Sequence, residues 1–485
     1  MKSGARNSGG VSEQDRRSDQ THKHGAADGP SVASMTSLNV PERINELSDG
    51  VIRAFNGTTE GRHGSISGIP VWAKSGKLLL RRGGELMRQT KAIRALVAFV
   101  GAALLWAGPA AAQTVKVGFI GTYSGPGAPQ GDQFDKGLKL FMNLNGDKLP
   151  PSVKVELIVR DDTGPNPDNG RRVAQELIVR DKVSLVTGAV FTPNALAIAP
   201  LATEAKIPFL VINAGTSVVT TRSPYIVRDS FTLWQSSYPL GQWAAKKYKR
   251  AYTLVSDYGP GHDAEAAFTE AFKAGGGEIV GSVRVPVQNP DFAPYMQRVK
   301  DAKPDALMVF IPAGKTATSV MKTFADLGLR DAGVHLIGPG DITTDEELPN
   351  MGDVALGVMT VFHYSAAADR PANKRFVDAW KKEYGPNSTP NFAAVAAWDA
   401  MAMIYTAVRE QKGKLDAERT LDIFKRWKNP DSPRGPISID PETRDIVQNE
   451  YLREVRKVNG QLANVEIETV ATALKDPWKE LKKGK

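Results

Sequence analysis

Residues 185–217 read LVTGAVFTPNALAIAPLATEAKIPFLVINAGTS. An apolar run, VSLVTG, ends in glycine, a helical stretch follows, and a second apolar run, IPFLVINAG, begins at Ile207. Both runs are nearly continuously apolar instead of alternating, the pattern of strands covered on both faces. Strand, helix and strand in this order make a βαβ unit, which requires parallel pairing and a right-handed crossover. Thr192 followed by Pro193 reads as an N-cap and first-turn pair, so the backbone N–H groups of Asn194 and Ala195 are expected to be unpaired at a helix start. A carboxylate fits there, with the Thr192 hydroxyl as a further donor. Simple capping of the helix by Thr192 is the competing reading.

The same alternation extends in both directions. Upstream, TVKVGFIG is a strand, Phe134, Leu138, Phe141 and Met142 share one helical face, VKVELIVRDD is a strand, and Val173, Ala174, Leu177 and Ile178 line the next helix. Downstream, AYTLVSDYG, GEIVGSVRV, DALMVFIPAG, VHLIGPG and LGVMTVF read as strands, most with helices between them. Two long helices then follow, one carrying Phe376, Val377, Trp380 and Tyr384 and one spanning NFAAVAAWDAMAMIYTAV. The closing section SPRGPISIDPETRDIVQNEYLREV reads as a strand pair around a turn. This is the pattern of an α/β fold of two doubly wound parallel-sheet lobes, in which ligands sit beyond the carboxyl ends of the strands.

MRQTKAIRALVAFVGAALLWAGPAAAQ, from Met87, has a basic start, an apolar run of about a dozen residues and small residues ending in Ala112, the parts of a secretory signal. Cleavage after Ala112 leaves Gln113 first and places the product in the periplasm. Residues 1–86 are rich in Ser, Gly, Arg and Asp and are expected to be disordered or a misassigned upstream extension. The chain has no cysteine, which excludes disulfides, thiolate metal sites, a cysteine nucleophile and a lipidated cysteine anchor. Its net charge of +9 is spread along the chain, and no basic helix with interleaved aromatics points to nucleic acid. The tail KDPWKELKKGK reads as a solvated helix end.

The glycine-rich loop YSGPGAPQG follows the first strand, but its spacing is one residue longer than the dinucleotide fingerprint. It is read as a turn presenting Tyr123, Ser124 and Gln130 to a smaller ligand, and no cofactor is expected. Asp161 and Asp162 at a strand end suit loop amides. INAGTS supplies Asn213, Thr216 and Ser217; SFTLWQSSYP, taken as non-helical, brings Phe231, Trp234 and Tyr238; SDYGPGHD adds Tyr258. Together these predict an aromatic-lined cleft. There is no G-x-S-x-G, Walker loop or H-E-x-x-H, and His262, His335 and His363 have no metal-ligand spacing. No enzyme or metal site is predicted.

VKVGFIGTYSGPGAPQG, the 185–217 block, DYGPGHD and GPISIDPETRDIVQNEYLREV together resemble the leucine/isoleucine/valine-type periplasmic binding proteins of ABC importers, over roughly residues 113–475. The resemblance implies a type I periplasmic binding fold with three crossovers, its first lobe 113–232 plus 364–433, its second 233–363 plus 434–475, and a tail 476–485. It implies a small-molecule solute delivered to an inner-membrane permease, and a monomer. Carried across by position, the family's carboxylate contacts fall on Phe191, Thr192, Asn213, Thr216 and Ser217, and its aromatic wall near Tyr258. Its acid for an amino group falls at or beside Gly340, with Asp341 next to it. The ligand is then either a branched-chain-type amino acid or an apolar or aromatic carboxylate. A periplasmic sensor using the same cleft, and an exported hydrolase, are the alternatives in function.

Overall fold

The computed structural model describes residues 113–483; the expected upstream extension (1–86), the signal segment (87–112) and residues 484–485 lie outside them. In chain order, the first lobe runs β1 (Gln113–Gly121), α1 (Ala128–Asn145), β2 (Val153–Asp161), α2 (Pro167–Gln175), β3 (Leu185–Gly188), α3 (Thr192–Glu204), β4 (Phe209–Val211) and β5 (Ile226–Arg228). Its sheet is wholly parallel, in the order β2-β1-β3-β4-β5. The βαβ reading of 185–217 holds: Val186 pairs with Phe209 and Gly188 with Val211 across parallel β3 and β4.

The second lobe follows with α4 (Leu233–Ala245), β6 (Arg250–Ser256), α5 (Gly259–Ala274), β7 (Glu278–Val285), α6 (Ala293–Ala302), β8 (Ala306–Phe310), α7 (Lys315–Asp326), β9 (His335–Pro339), α8 (Leu348–Met351) and β10 (Met359–Phe362). Then come α9 (Pro371–Tyr384), α10 (Phe392–Glu410), α11 (Ala417–Lys425), β11 (Lys428–Asn429), β12 (Ile437–Ile439), β13 (Ile446–Val458), β14 (Gln461–Leu474) and α12 (Pro477–Lys483). The second sheet has the order β11-β12-β13-β10-β9-β8-β6-β7, with β14 paired to β13. β6 to β10 pair in parallel, whereas β13 runs antiparallel to β10 and β12.

The chain leaves the first sheet after β5, returns after β10 to add α10 and α11 to the first core, and passes through β11 and β12 into β13. Apolar burial explains the partition. One core cluster joins β1 to β5 with α10 and α11, and two others cover the faces of the second sheet. α10 is apolar almost all round because it is buried almost all round. It approaches α1 closely at Gly137, where a Cβ would lie 2.3 Å from the Ala394 carbonyl oxygen.

Three local expectations are corrected. SFTLWQSSYP is not a loop: Thr232 caps α4 in a reciprocal capping box with Gln235, and Trp234 and Tyr238 lie on the helix. Pro239 sits inside that helix. The basic tail is not simply solvated, since α12 buries Pro477 and Lys479, and Lys479 pairs with Asp445. Phe191, not Thr192, is the N-cap of α3, and the N–H groups of Asn194 and Ala195 both bond the Phe191 carbonyl at 3.2 Å. Thr192 therefore occupies the first helical turn, where its own N–H has no partner within the helix.

Candidate ligand-binding site

The loops beyond β1, β3 and β4 face those beyond β6, β8 and β9, the arrangement expected at the carboxyl edges of doubly wound sheets. Between them lies a cavity of about 30 Å³, lined by Gly127, Gln130, Val190, Phe191, Asn213, Tyr258, Pro312, Ala313, Asp341 and Phe392. It adjoins a second cavity of about 190 Å³ that shares Gly127, Phe191, Pro312 and Ala313 and reaches Ser124, Thr163 and Gln288. Ligand pockets ordinarily measure roughly 300–1,000 Å³, and both cavities fall below that range. A larger groove of about 500 Å³, walled by Phe141, Phe376, Trp398 and Tyr405, lies elsewhere and holds none of the candidate site residues.

Contacts across the cleft confirm that the lobes touch. The Ser217 N–H donates to Asp263 Oδ2 at 2.8 Å, and Asn391 Nδ2 donates to Glu346 Oε1 at 2.7 Å. A Cβ at Gly259 would stand 2.8 Å from Thr216 Oγ1, so glycine at the start of α5 lets the two lobes meet.

Three buried polar atoms at the cavity have no partner: Gln130 Nε2, Asn213 Oδ1 and Asp341 Oδ2. Such groups are costly to leave unpaired, and the three converge on one cavity. Asn213 is oriented by its amide nitrogen, which donates to the Val190 carbonyl at 2.6 Å and leaves the oxygen toward the cleft. Asp341, only 5% exposed, lies in the short turn Gly340–Thr343 that follows β9. Burial pushes its carboxyl up to about 7, against the opposing pull of the buried Arg453 guanidinium. Gly340 itself admits no side chain, because a Cβ would fall 2.2 Å from Arg453 Nη2 and 2.4 Å from the Phe362 ring. Asp341 is the carboxyl that lines this cavity.

The walls are aromatic. Tyr258 caps α5 and stacks on Phe310 with ring centroids 6.2 Å apart. Burial pushes its hydroxyl pKa well up, with the Asp341 charge adding to the effect, so Tyr258 stays a protonated donor. Phe392 reaches the cavity from α10 and is held edge-on by Phe362 at 4.9 Å and by Phe231 at 5.6 Å.

Of the residues read from the sequence, Gln130, Phe191, Asn213, Tyr258 and Asp341 line the central cavity, and Ser124 lines the adjoining one. The others serve elsewhere. The Tyr123 N–H donates to Asp161 Oδ1, and its hydroxyl reaches Asp135 at 3.4 Å. Thr216 donates to Thr192 Oγ1 at 3.1 Å, behind Phe191, and Ser217 Oγ donates to Asp476 at 3.0 Å. Phe231 packs in the aromatic core behind Phe392, and Trp234 stacks on Tyr238 along α4. Asp161 and Asp162 hold loop groups: Thr163 N–H and Ser124 Oγ on the first, Thr122 Oγ1, Gly164 N–H and Asn194 Nδ2 on the second. Val190, Pro312, Ala313 and Phe392 escaped the sequence reading. Pro312 and Ala313 stand at the end of DALMVFIPAG, read whole as a strand, whereas β8 ends at Phe310; the carboxyl-edge rule applied to that end would have found them.

Comparison with known proteins agrees with this geometry. Residues 114–461 match the family described as periplasmic binding protein. A curated relative, the Leu/Ile/Val-binding protein homolog 6 of Brucella melitensis, is 43% identical over 369 residues, 75% of this chain and 94% of that one. Among solved structures, the solute-binding protein of an ABC transporter from Rhodopseudomonas palustris BisB5, in complex with 3,4-dihydroxybenzoic acid, is 52% identical with a TM-score of 0.73, covering 76% of this chain and 99% of that one. A second R. palustris solute-binding protein, in complex with 4-hydroxybenzoate, is 44% identical with a TM-score of 0.72, covering 76% of this chain and all of that one. Two α/β lobes, a cleft at their facing strand ends and this likeness over the described residues lead to one conclusion: the chain belongs to the periplasmic binding protein family, the solute-binding components of ABC transporters.

Proposed function

We propose that this protein captures a hydroxylated aromatic carboxylate, of the 4-hydroxybenzoate or 3,4-dihydroxybenzoate type, and delivers it to an inner-membrane permease. The observation that carries the reading is the cavity itself, where Phe191, Tyr258 and Phe392 enclose a lone donor on Gln130 and lone acceptors on Asn213 and Asp341. A flat ring suits the aromatic walls, each such contact being worth about 0.5–1.5 kcal/mol. The ligand carboxylate takes the Gln130 donor. A ring hydroxyl donates to Asp341 or Asn213, a charge-assisted bond worth about 1.5–3 kcal/mol where the acceptor is ionised. The complexes of similar proteins with such acids support this choice.

Mechanically, the ligand bridges residues of both lobes and so favours the closed form that a permease recognises. The lobes are taken as 113–232 plus 364–433 and 233–363 plus 434–475, and the protein as a monomer without catalytic activity. Residues 87–112 are taken as the export signal. N-terminal sequencing of the exported protein is expected to read from Gln113; a first residue other than Gln113 or a near neighbour would overturn that part.

Calorimetric titration of the 113–485 protein tests the ligand. 4-Hydroxybenzoate and 3,4-dihydroxybenzoate are expected to bind at about micromolar dissociation constants or tighter, roughly −8 kcal/mol, with leucine far weaker. The reverse order would establish the second reading, a branched-chain-type amino acid whose ammonium pairs with Asp341. That reading draws on the curated relative and on the placement of Asp341 in the cavity.

A further inference from the structure

Gln130 is 3% exposed and lines the cavity, yet the polarity it shows there is decided by a residue outside the lining, Asn391. Asn391 caps α10: its Oδ1 accepts from the N–H groups of Ala393 at 2.8 Å and Ala394 at 3.3 Å. With the oxygen committed to the helix, only the Nδ2 hydrogens remain, and both are donated, to Gln130 Oε1 at 3.1 Å and Glu346 Oε1 at 2.7 Å. The pair is held in place by Gln133, whose Oε1 accepts the Asn391 N–H at 3.0 Å and whose Nε2 donates to the Thr389 carbonyl at 3.1 Å. Gln130 has therefore one satisfactory orientation. Reversing its amide would set two N–H donors against each other, and the loss of a buried hydrogen bond has no solvent to offset it. The free end, Nε2, is the donor left unpaired at the cavity.

We infer that Asn391 is a specificity-determining positioning residue: by fixing Gln130 with its nitrogen toward the cleft, it restricts that end of the cavity to ligand acceptors, a carboxylate above all, and rejects ligand N–H donors. This rests on the proposed aromatic-carboxylate reading and names which end of the ligand Gln130 takes. Glu346, on the second lobe, takes the other Nδ2 hydrogen, so the cross-cleft bond adds to an orientation already set by the α10 cap.

Asn391→Asp separates orientation from folding. Aspartate caps helices as well as asparagine does, so α10 is retained. A carboxylate cannot donate, so Gln130 turns its nitrogen to residue 391 and presents its oxygen to the ligand. The experiment compares 4-hydroxybenzoate with 4-hydroxybenzamide, which offers an N–H donor at the same place, by calorimetry on wild type and variant. The wild type is expected to favour the acid, and the variant to lose at least about tenfold of that preference, the equivalent of one charge-assisted hydrogen bond. A general weakening of closure would lower both affinities together and leave the ratio unchanged, which overturns the inference. In parallel, the Gln130 amide protons should show nuclear Overhauser contacts to the Phe191, Tyr258 or Phe392 rings in wild type and lose them in the variant. Unchanged contacts overturn it equally. If the wild type binds neither compound, the ligand reading fails while the Overhauser contacts still decide the role of Asn391.

Discussion

On the proposed function, Asp341 is the residue expected to decide between the two ligand classes. Its Oδ2 is buried without a partner, and the nearest compensating charge, Arg453, is spent on Thr360 and on the Tyr364 carbonyl. A carboxyl held near 7 by burial is close to half protonated at neutral pH and needs no full counter-ion, which suits a neutral phenolic hydroxyl. An ammonium would instead demand the ionised form. Asp341→Asn is therefore expected to weaken 4-hydroxybenzoate by no more than about tenfold, because the asparagine oxygen still accepts the hydroxyl. The same change should abolish any binding of leucine, whose ammonium would be buried unpaired. Titration of both ligands against the variant reads this directly, and loss of the aromatic acid with retention of leucine would remove Asp341 from the assigned role. At this scale the sequence was half legible. The chemistry of an acid at this turn could be read from position, but the choice of Asp341 over Gly340 depends on Phe362 and Arg453 filling the space beside Gly340, and Arg453 arrives from a strand more than a hundred residues away.

Among elements, legibility follows how local the deciding interaction is. The strand at β3, the helix at α3 and the strand at β4 were readable because continuous apolar runs, a proline near the helix start and terminal glycines all act within a few residues. The cap of α3 fell one residue early, at Phe191, because its extended backbone and carbonyl, not a side chain, begin the helix. α4 is not legible in SFTLWQSSYP, read as a non-helical stretch, although Thr232 and Gln235 carry the T-x-x-Q spacing of a capping box. β14 went unread despite a strong local sign. Asn459 and Gly460 both take positive φ, 51° and 80°, and join Val458 to Gln461 in a two-residue hairpin. α12 could not be read as partly buried, since Lys479 is drawn inward by Asp445 and Thr220, partners outside its own helix. A lysine-rich segment announces solvent; only the tertiary fold supplies a buried carboxylate for it.

For the molecule as a whole, two carboxyls, Asp341 and Glu346, are buried at the cleft, and parting of the lobes is expected to expose them to water. Asp341 is faced by Arg453, Tyr258 and, farther back, Glu450; Glu346 is faced by Asn391 and flanked by Asp345 and Glu347. Burial raises Asp341 to about 7 and Glu346 to about 8, whereas exposed carboxyls titrate near 4. A group whose pKa is raised on closing takes up a proton when the closed form is made. Its contribution is thus complete below about pH 4 and is lost as pH rises to 7 for Asp341 and to 8 for Glu346. The ligand-free protein is therefore expected to close progressively on acidification from pH 8.5 to 5.5, read as a falling radius of gyration or as rising energy transfer between labels on the two lobes. Affinity for 4-hydroxybenzoate should fall across the same interval as pH rises, by at most about tenfold per unit for each proton taken up. Glu346→Gln removes one of the two protons and should flatten the closure curve above pH 7, where Asp341 no longer contributes. A closed fraction independent of pH in the wild type, or a Glu346→Gln curve superposable on it, would show that these carboxyls keep their charge in the closed cleft and that closure is governed by apolar contact alone.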